Sequence, residues 1–319
     1  MKKVISILTC LCLLMTTGCS RQETIRFGAA GVGGMYYPFA NAFTELASKD
    51  ETGINWKVKS TAGSAATLRL LSDNYIELGI AQADLIEDAY YGKGSFHSGK
   101  YRGYKAVASL YPEACQIVVR KDSDITSLDD LEGKNVSVGE EESGTERNAT
   151  QILEMCGLPD NLVNTKNLDY TDAADQLAEK KIDAFFCTAG ICTTVIEELT
   201  KECDIRLLEI PESCRQKLKK AYSFYDDYVI PAGTYSGQTE DIQTISVQSV
   251  LLASSTLSEK TVQKLTASLF KHIKDIQYSI SINLQLTPQE AVKGITIPFH
   301  PGAEAYYRLE GVELPEVES

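Results

Sequence analysis

The sequence has 319 residues, and its 44 Asp and Glu outnumber 31 Lys and Arg to give a formal net charge of −13. This acid excess argues against nucleic acids and against an anionic lipid surface as partners, because both are negatively charged themselves. The length is sufficient for two domains with hydrophobic cores of their own.

The first 18 residues have the features of a secretory signal peptide. Lys2 and Lys3 form a basic start, residues 4–15 are apolar, and Cys19 follows a glycine at the end of the segment. Cys19 resembles the cleavage site of a bacterial lipoprotein, although Thr16 stands where such sites usually carry a large aliphatic residue. We therefore expect an extracytoplasmic protein, held at the membrane by a lipid on Cys19 if this site is used, and simply exported otherwise.

A glycine-rich loop follows the first predicted strand, Ile25–Gly28, and precedes a helix. Gly33 and Gly34 allow main-chain N–H groups to approach a ligand closely, and the N-terminus of the helix favours negative charge. Tyr36 and Tyr37 add flat aromatic walls and hydroxyl donors. Taken alone, this loop is equally compatible with a plain turn between a strand and a helix.

Strands and helices continue to alternate through the first third of the chain. A strand at Ile54–Ser60 leads through Thr61-Ala62-Gly63-Ser64 into a helix, and a strand at Glu77–Gln82 leads into another. Asp84 with Glu87 resembles a capping box for that second helix. Two further strand-like runs flank a tripeptide: Ala106–Leu110 and Cys115–Arg120, on either side of Tyr111-Pro112-Glu113.

A second, similar set of elements follows. The predicted strands are Asn135–Gly139, Ile182–Phe186, Ile205–Ile210 and Thr244–Ala253. The predicted helices begin at Ser143-Gly144-Thr145 and run through Cys156, at Thr171 and run to Lys180, and after Gly190 and run to Thr200. Ser258 caps a long helix to about Ser281, and Thr287 with Glu290 caps the last helix.

This alternation favours an α/β fold rather than segregated helices and strands. Two βα sets predict two doubly wound lobes joined by a hinge, with the chain crossing near Leu110–Gln116 and Tyr228–Ser246. The expected divisions are a leader (1–18), the first part of lobe 1 (19–112), lobe 2 (113–230), a return to lobe 1 with C-terminal helices (231–310), and an acidic tail (311–319).

Signatures of enzymes and metal sites are sparse. The three histidines, His97, His272 and His300, have no metal-ligand spacing, and no Walker loop or nucleophile elbow occurs. Six cysteines follow Cys19 without a CxxC motif; we expect several to be small core residues, and Cys203 with Cys214 is a candidate disulfide pair. The sequence therefore predicts no catalytic residues, no cofactor and no bound metal.

Five turns rich in glycine or small hydroxyl residues each stand at the start of a predicted helix. They are Gly33-Gly34-Met35-Tyr36, Thr61-Ala62-Gly63-Ser64, Gln82-Ala83-Asp84, Ser143-Gly144-Thr145 and Ala189-Gly190. Singly, each is typical of an ordinary N-cap. In doubly wound sheets, however, the turns after the strands converge on one crevice. Two facing sets predict an interlobe cleft lined with N–H donors and hydroxyls, which suits an anionic small molecule.

Motifs in the same order across the mature chain resemble the TAXI branch of TRAP transporter solute-binding proteins. Those motifs include Gly33-Gly34-Met35-Tyr36-Tyr37-Pro38, Ser60-Thr61-Ala62-Gly63-Ser64, Ala81-Gln82-Ala83-Asp84, Leu110-Tyr111-Pro112-Glu113, Ser143-Gly144-Thr145-Glu146 and His300-Pro301-Gly302-Ala303. Ala65 and Ala189-Gly190-Ile191 depart from the usual family pattern. The resemblance implies a bilobal periplasmic-binding fold of type II topology, which closes on a small carboxylate such as glutamate, glutamine or 2-oxoglutarate and hands it to a membrane permease.

Together, the turns and the resemblance define a set of expected ligand-binding residues. They are Gly33, Gly34, Tyr36, Tyr37, Ser64, Gln82, Asp84, Tyr111, Glu113, Ser143, Gly144, Thr145 and Gly190. Asp84 and Glu113 discriminate between ligands, because an acidic group in the cleft would pair with the α-ammonium of an amino acid. If both residues instead cap helices or face solvent, a keto acid fits better.

Two other functions stay open at this point. One is a module that presents a metabolite to a membrane sensor kinase, and the other is an exported enzyme on the same fold. The missing pair of base and nucleophile argues against the enzyme.

Overall fold

The computed structural model describes residues 23–51, 53–159, 161–280, 284 and 286–317. The predicted leader and Cys19 lie outside these residues. Among the described residues, no helix combines the length and the apolar character needed to cross a bilayer.

Ten strands and nine α-helices make up the described fold, and they alternate through most of the chain. The strands are β1 Glu23–Gly28, β2 Ile54–Lys59, β3 Leu78–Gln82, β4 Tyr104–Arg120, β5 Asn135–Ser137, β6 Asn164–Lys166, β7 Ala184–Ala189, β8 Ile205–Leu207, β9 Asp226–Ile230 and β10 Ile242–Ser254. The helices are α1 Tyr36–Asp50, α2 Ser64–Ser72, α3 Ala83–Tyr91, α4 Gly144–Met155, α5 Tyr170–Ala178, α6 Thr194–Glu202, α7 Glu212–Ala221, α8 Glu259–Ile280 and α9 Pro301–Leu309.

All ten strands belong to one mixed sheet. Its main path runs β2-β1-β3-β10-β4-β7-β5-β6, with β8 paired to β4 and β9 paired to β10. Within each outer group, β2-β1-β3 and β7-β5-β6, the strands are parallel to one another. The two middle strands, β4 and β10, are antiparallel to each other and to the strands beside them.

The two long central strands divide the molecule into two lobes. The C-terminal half of β10 pairs with β3 at Ser249–Ala253, while its start pairs with β9 at Ile242–Ser246. In the same way β4 pairs with β7 only from Ala114 onward. We call the side with β1–β3 the first lobe, which carries α1–α3, α8 and α9, and the side with β5–β9 the second lobe, which carries α4–α7. The lobe boundaries expected from the sequence stay a prediction.

Strand β4 is continuous from Tyr104 to Arg120, so the prediction of two strands separated by Tyr111-Pro112-Glu113 was wrong. Pro112 is exposed and lies opposite Gln248, next to a register shift in β10 between Gln248 and Val250. A proline lacks the N–H of a regular ladder, and sheets tolerate it at such irregularities. The consequence is that Glu113 lies within the central strand rather than in a loop.

Several predicted helix starts hold, and others move by a few residues. Ser143 caps α4 by accepting a hydrogen bond from the N–H of Glu146 (3.0 Å), and Ser258 accepts one from Thr261 (3.0 Å) before α8. Both caps confirm the prediction. For α5 the capping side chain is Asp169, which accepts from Asp172 N–H, and not Thr171.

The helix predicted after Gly190 is present as α6, which begins at Thr194 with Thr193 as its N-cap residue. The Thr193 hydroxyl donates to the Gly190 carbonyl in the preceding turn. The prediction of the last helix was wrong: the segment at Thr287–Glu290 forms turns, and the last helix is α9, where His300 Nδ1 accepts from Gly302 N–H.

The disulfide differs from the candidate pair. Cys156, at the end of α4, is bonded to Cys214 on α7, with the two Cα atoms 5.3 Å apart. Cys203 is free. Sequence spacing alone does not identify which cysteines the packing of helices brings together.

Candidate functional site

A cavity of about 170 Å³ lies between the two lobes. It is lined from the first lobe by Ala30, Gly31, Val32, Gly33, Gly34, Met35, Tyr36, Ser60, Gly63, Ser64 and Gln82. Glu113 of the central strand forms part of the wall, and the second lobe adds Glu140, Ser143, Gly144, Thr145, Asp169, Tyr170, Thr171, Thr188 and Ala189. This volume is below that of pockets for drug-sized ligands and suits a small metabolite.

Five helices begin at this cavity. The first residues or N-caps of α1, α2, α3, α4 and α5 that line it are Tyr36, Ser64, Gln82, Ser143 and Tyr170. The first N–H groups of a helix have no partner within the helix, and the helix dipole makes that end attractive to anions. For α1, α2 and α3 no side chain caps the end. The cavity is therefore built to receive negative charge without a basic side chain.

Glu113 places a carboxyl group deep in this cavity. Its side chain is buried, and it accepts a hydrogen bond from the hydroxyl of Tyr36 (Oη to Oε2, 2.5 Å). Burial raises the pKa of Glu113 to about 8, although hydrogen bonds from Tyr36 and Gln82 act in the opposite direction. In the closed molecule Glu113 is therefore mostly protonated at neutral pH, and it is poised to ionise when a cation is placed beside it.

Gln82 supplies an unused acceptor at the same place. Its backbone N–H donates to Ser64 Oγ (3.1 Å), which ties the starts of α2 and α3 together. Its side-chain oxygen Oε1 is buried and has no hydrogen-bond partner within the described structure. A buried acceptor without a donor costs free energy, so this oxygen is a position where a ligand N–H or O–H would be stabilised.

Tyr170 forms the wall from the second lobe through three linked hydrogen bonds. Its hydroxyl donates to the carbonyl of Thr188 (3.0 Å), and because that uses its proton, the 2.5 Å contact with Thr145 Oγ1 has Thr145 as donor. The N–H of Thr188 donates to the same Thr145 oxygen (3.3 Å). These bonds hold α4, α5 and the end of β7 together, so Thr145 positions the wall.

The lobes touch each other around the cavity, so the structure shows a closed form. The N–H of Ala65 on α2 donates to the carbonyl of Glu142 in the second lobe (3.3 Å). Gly63 has a positive φ of 110°, and a Cβ built there would come within 2.9 Å of Ser143 Cα. A Cβ built on Gly144 would overlap the side chain of Gln82. Glycine is needed at these positions because the two lobes meet there at backbone distance.

The charged side chains of the lining are all acidic. Glu113, Glu140 and Asp169 are present, and the described lining contains no lysine or arginine. Positive potential comes from helix starts and negative potential from these side chains. Such a site complements a ligand that carries both signs of charge.

Most of the residues expected from the sequence come together here. Nine of them line the cavity: Gly33, Gly34, Tyr36, Ser64, Gln82, Glu113, Ser143, Gly144 and Thr145. The other four, Tyr37, Asp84, Tyr111 and Gly190, lie off its lining.

The four remaining residues have other surroundings. Tyr37 packs half-buried against the core, and Tyr111 is buried with its ring 6.3 Å from that of Phe39. Asp84 does not cap α3, whose N-cap is Gln82; it is buried and paired with Arg147. Gly190 lies in the turn before α6, where its carbonyl accepts a hydrogen bond from the Thr193 hydroxyl (2.6 Å).

Sequence reasoning missed part of the second lobe's wall. Glu140, Asp169, Tyr170, Thr171 and Thr188 line the cavity, yet only Thr171 was considered, as a cap. A usable signal was present for one of them: Asp169 precedes a helical pattern with Asp172 three residues later, which is typical of a helix start. Thr188 ends a buried strand, and only the sheet register brings it to the site.

Comparisons with known proteins support the observed architecture. A model of the NMT1-like family matches residues 27–311. The alkanesulfonate-binding protein SsuA from Xanthomonas axonopodis pv. citri bound to MOPS has a TM-score of 0.51 and 15% identity, over 90% of this chain and 83% of its own.

Two other solved structures are similar to the same extent. The binding protein component of an ABC phosphonate transporter from Pseudomonas aeruginosa gives a TM-score of 0.52 and 13% identity, over 82% and 80% of the two chains. An ancestral arginine-binding protein bound to arginine has a TM-score of 0.50 and 15% identity, over 82% of this chain and 98% of its own. At such identities the likeness shows the fold, which confirms the predicted bilobal α/β architecture. All three structures are of binding proteins.

Proposed function

The chain belongs to the NMT1-like family, and from that premise we propose that it is an extracytoplasmic solute receptor of a membrane transporter. It binds a small carboxylate between its lobes and delivers it to a membrane permease. More specifically, we propose that the transporter is of the TRAP type and that Cys19 carries a lipid that keeps the receptor at the membrane.

One observation carries this proposal: five helices from two lobes begin at a single closed cavity. Backbone N–H groups at helix starts hold carboxylates well, and hydrogen bonds to a charged group contribute about 1.5–3 kcal/mol each. Because these donors come from both lobes, only the closed form can use all of them. Ligand binding thereby shifts the molecule toward closure, and the closed surface is what a permease recognises.

The ligand proposed here is an α-amino acid with a small side chain, such as glutamate or glutamine. Glu113 faces the cavity and Asp84 does not, so Glu113 is the group that pairs with the α-ammonium. Gln82 Oε1 accepts a second hydrogen bond from the same ammonium. The carboxylate then lies at the helix starts near Ser64 and Ser143. A keto acid such as 2-oxoglutarate leaves both acceptors without a cationic partner.

Calorimetry of the purified mature protein tests this assignment. Glutamate, glutamine and 2-oxoglutarate are titrated at about pH 6, 7 and 8, in buffers that differ in ionisation enthalpy. We expect the amino acid to bind with release of a proton, because Glu113 must ionise to pair with the ammonium, and to bind more tightly as pH rises toward about 8.

The isosteric variant Glu113→Gln removes that ionisable group. We expect it to lose about tenfold or more in affinity for the amino acid and to show no proton release from this position. Glu141→Gln, on the exposed residue Glu141, serves as the control. Equal affinity for 2-oxoglutarate, or proton release that persists in Glu113→Gln, would contradict the ammonium assignment. If none of the three acids binds, and mass spectrometry finds no carboxylate copurifying with the protein, the receptor proposal in this form is wrong.

The transporter class is tested independently by the neighbouring genes. A gene for a TRAP permease beside this one supports the finer proposal. Genes for an ABC permease and its ATPase would instead indicate an ABC transporter as the partner. A gene for a sensor kinase would indicate that the receptor presents its ligand to that kinase.

A further inference from the structure

A buried ion-pair cluster joins the two lobes outside the ligand cavity. Arg147, on α4 of the second lobe, contacts Asp84 and Asp88 on α3 of the first lobe. Its Nε lies 3.1 Å from Asp84 Oδ2, and its Nη2 lies 2.7 Å from Asp88 Oδ2. The guanidinium also lies 5.7 Å from the centre of the Phe224 ring. Neither Arg147 nor the two aspartates line the ligand cavity.

The burial of this cluster makes it sensitive to the loss of a partner. The side chain of Asp84 is 0% exposed, that of Asp88 is 15% exposed and that of Arg147 is 18% exposed. Besides Arg147, the backbone N–H groups of Asp84 and Leu85 at the start of α3 favour the ionised form of this carboxyl. Burial raises the pKa of Asp84 to about 6, and Arg147 is the strongest influence that opposes this rise. The ionised form of Asp84 therefore depends on Arg147.

Opening of the lobes would separate these charges and return them to water. An intact buried ion pair adds little to stability, since the cost of removing water nearly equals the Coulomb attraction. Removing Arg147 is different, because in the closed form Asp84 must then either stay ionised beside Asp88 without a counterion or take up a proton. Both cost free energy that the solvated carboxylates of the open form avoid, so loss of Arg147 would favour the open form.

We propose that Arg147, with Asp84 and Asp88, forms a latch that sets the stability of the closed form and so the affinity for ligand without touching the ligand. Arg147 is a positioning residue in this role. The expected effect of the latch on ligand affinity rests on the proposed receptor function. Its expected effect on lobe opening does not, because opening is a property of the ligand-free protein.

The test compares the wild type with Arg147→Met, which keeps the length of the side chain and removes its charge. We expect Arg147→Met to weaken binding of glutamate and glutamine by the same factor, about tenfold or more, mainly through faster dissociation. We also expect small-angle X-ray scattering to give a larger radius of gyration for the ligand-free variant than for the wild type. Circular dichroism checks that each variant is folded.

Non-additivity separates the latch from a merely structural role. In the double variant Asp84→Asn with Arg147→Met closure no longer requires position 84 to be protonated or left charged without a counterion, so we expect it to bind more tightly than Arg147→Met alone. Arg147→Lys keeps the charge and should give an intermediate affinity; it also serves as the test if Arg147→Met does not fold. Arg69→Met is the matched control, because the Arg69–Glu142 pair also joins the lobes but is partly exposed and should contribute little.

Three results would overturn the latch. They are an unchanged affinity in Arg147→Met, a change in the ratio of glutamate to glutamine affinity, and a double variant no better than the single one. If the wild type binds none of the acids, the receptor proposal fails, while the scattering comparison of ligand-free proteins still decides whether Arg147 controls closure.

Discussion

Glu113 lies in an environment that disfavours an ionised carboxyl group. A carboxyl group in the middle of a central strand, buried and without a basic neighbour in the described lining, is costly to ionise. The native protein therefore holds a proton on Glu113 up to about pH 8, where the unfolded chain has already lost it. Such a group is retained at a stability cost, which is typical of functional sites.

The first prediction at this scale concerns stability against pH. Because the folded-state pKa of Glu113 is raised, the native state binds more protons than the unfolded state between about pH 4.5 and about pH 8. The contribution of Glu113 to stability is fully present below that window and is lost as pH rises through it. Urea unfolding of the ligand-free protein at about pH 5 and about pH 9 should show this decline.

In Glu113→Gln the free energy of unfolding should fall less between these pH values than in the wild type, and in Glu141→Gln it should fall as much. Asp84 has a raised pKa of the same sign, with a window that ends near about 6, and burial also raises the pKa of the Cys115 and Cys187 thiols. Because these groups are the same in both proteins, the difference between the wild type and Glu113→Gln over pH 7 to pH 9 isolates Glu113. The same decline in Glu113→Gln as in the wild type over that range would show that Glu113 is already ionised in the native state.

At the scale of elements, the helix starts decide how the lobes meet. Gly144 is the first residue of α4, and an alanine fits this helical position within the second lobe itself. Across the cleft, however, its Cβ would overlap the side chain of Gln82. The glycine is required only in the closed molecule.

Gly144→Ala should therefore separate folding from closure. We expect the melting temperature of the ligand-free protein to stay the same or to rise slightly, and the affinity for glutamate to fall about tenfold or more. Thermal unfolding and calorimetry measure the two properties. Gly99→Ala is the control, because nothing lies within 4 Å of a Cβ built at Gly99. Wild-type affinity in Gly144→Ala would mean that the lobes do not approach this closely when ligand is bound.

At the scale of the whole molecule, one sheet extends through both lobes, and β4 and β10 are the strands they share. The lobes can separate about these strands while each keeps its own pairing, as in hinged closure around a ligand. Hydrogen bonds within a lobe then persist in the open form, and those between lobes do not.

Hydrogen exchange should distinguish these two kinds of hydrogen bond. The N–H of Ala65 donates across the cleft to Glu142, so we expect ligand to slow its exchange, whereas Val118 N–H in β4 should exchange equally with and without ligand. Mass spectrometry of peptides that cover residues 61–68 and 115–120 measures both. Equal exchange at Ala65 in both states would show that ligand does not change closure.

The sequence by itself determined the features that depend on near neighbours. The alternation of strands and helices, the caps at Ser143 and Ser258, and the glycine and hydroxyl turns depend on periodicity and on short-range hydrogen bonds. Because parallel strands end at one edge of a sheet, these turns were also enough to bring eight of the nine expected residues to one cavity, all except Glu113.

Only the tertiary structure decided the features that depend on distant segments. Glu113 lines the cavity from within β4, where Pro112 pairs with Gln248 of β10. Asp84 lies off the cavity lining and contacts Arg147 of the other lobe. Tyr170 reaches the site through Thr145 and Thr188. In each case the deciding contact joins residues far apart in the chain, and its energy depends on burial and on a partner that no local pattern specifies.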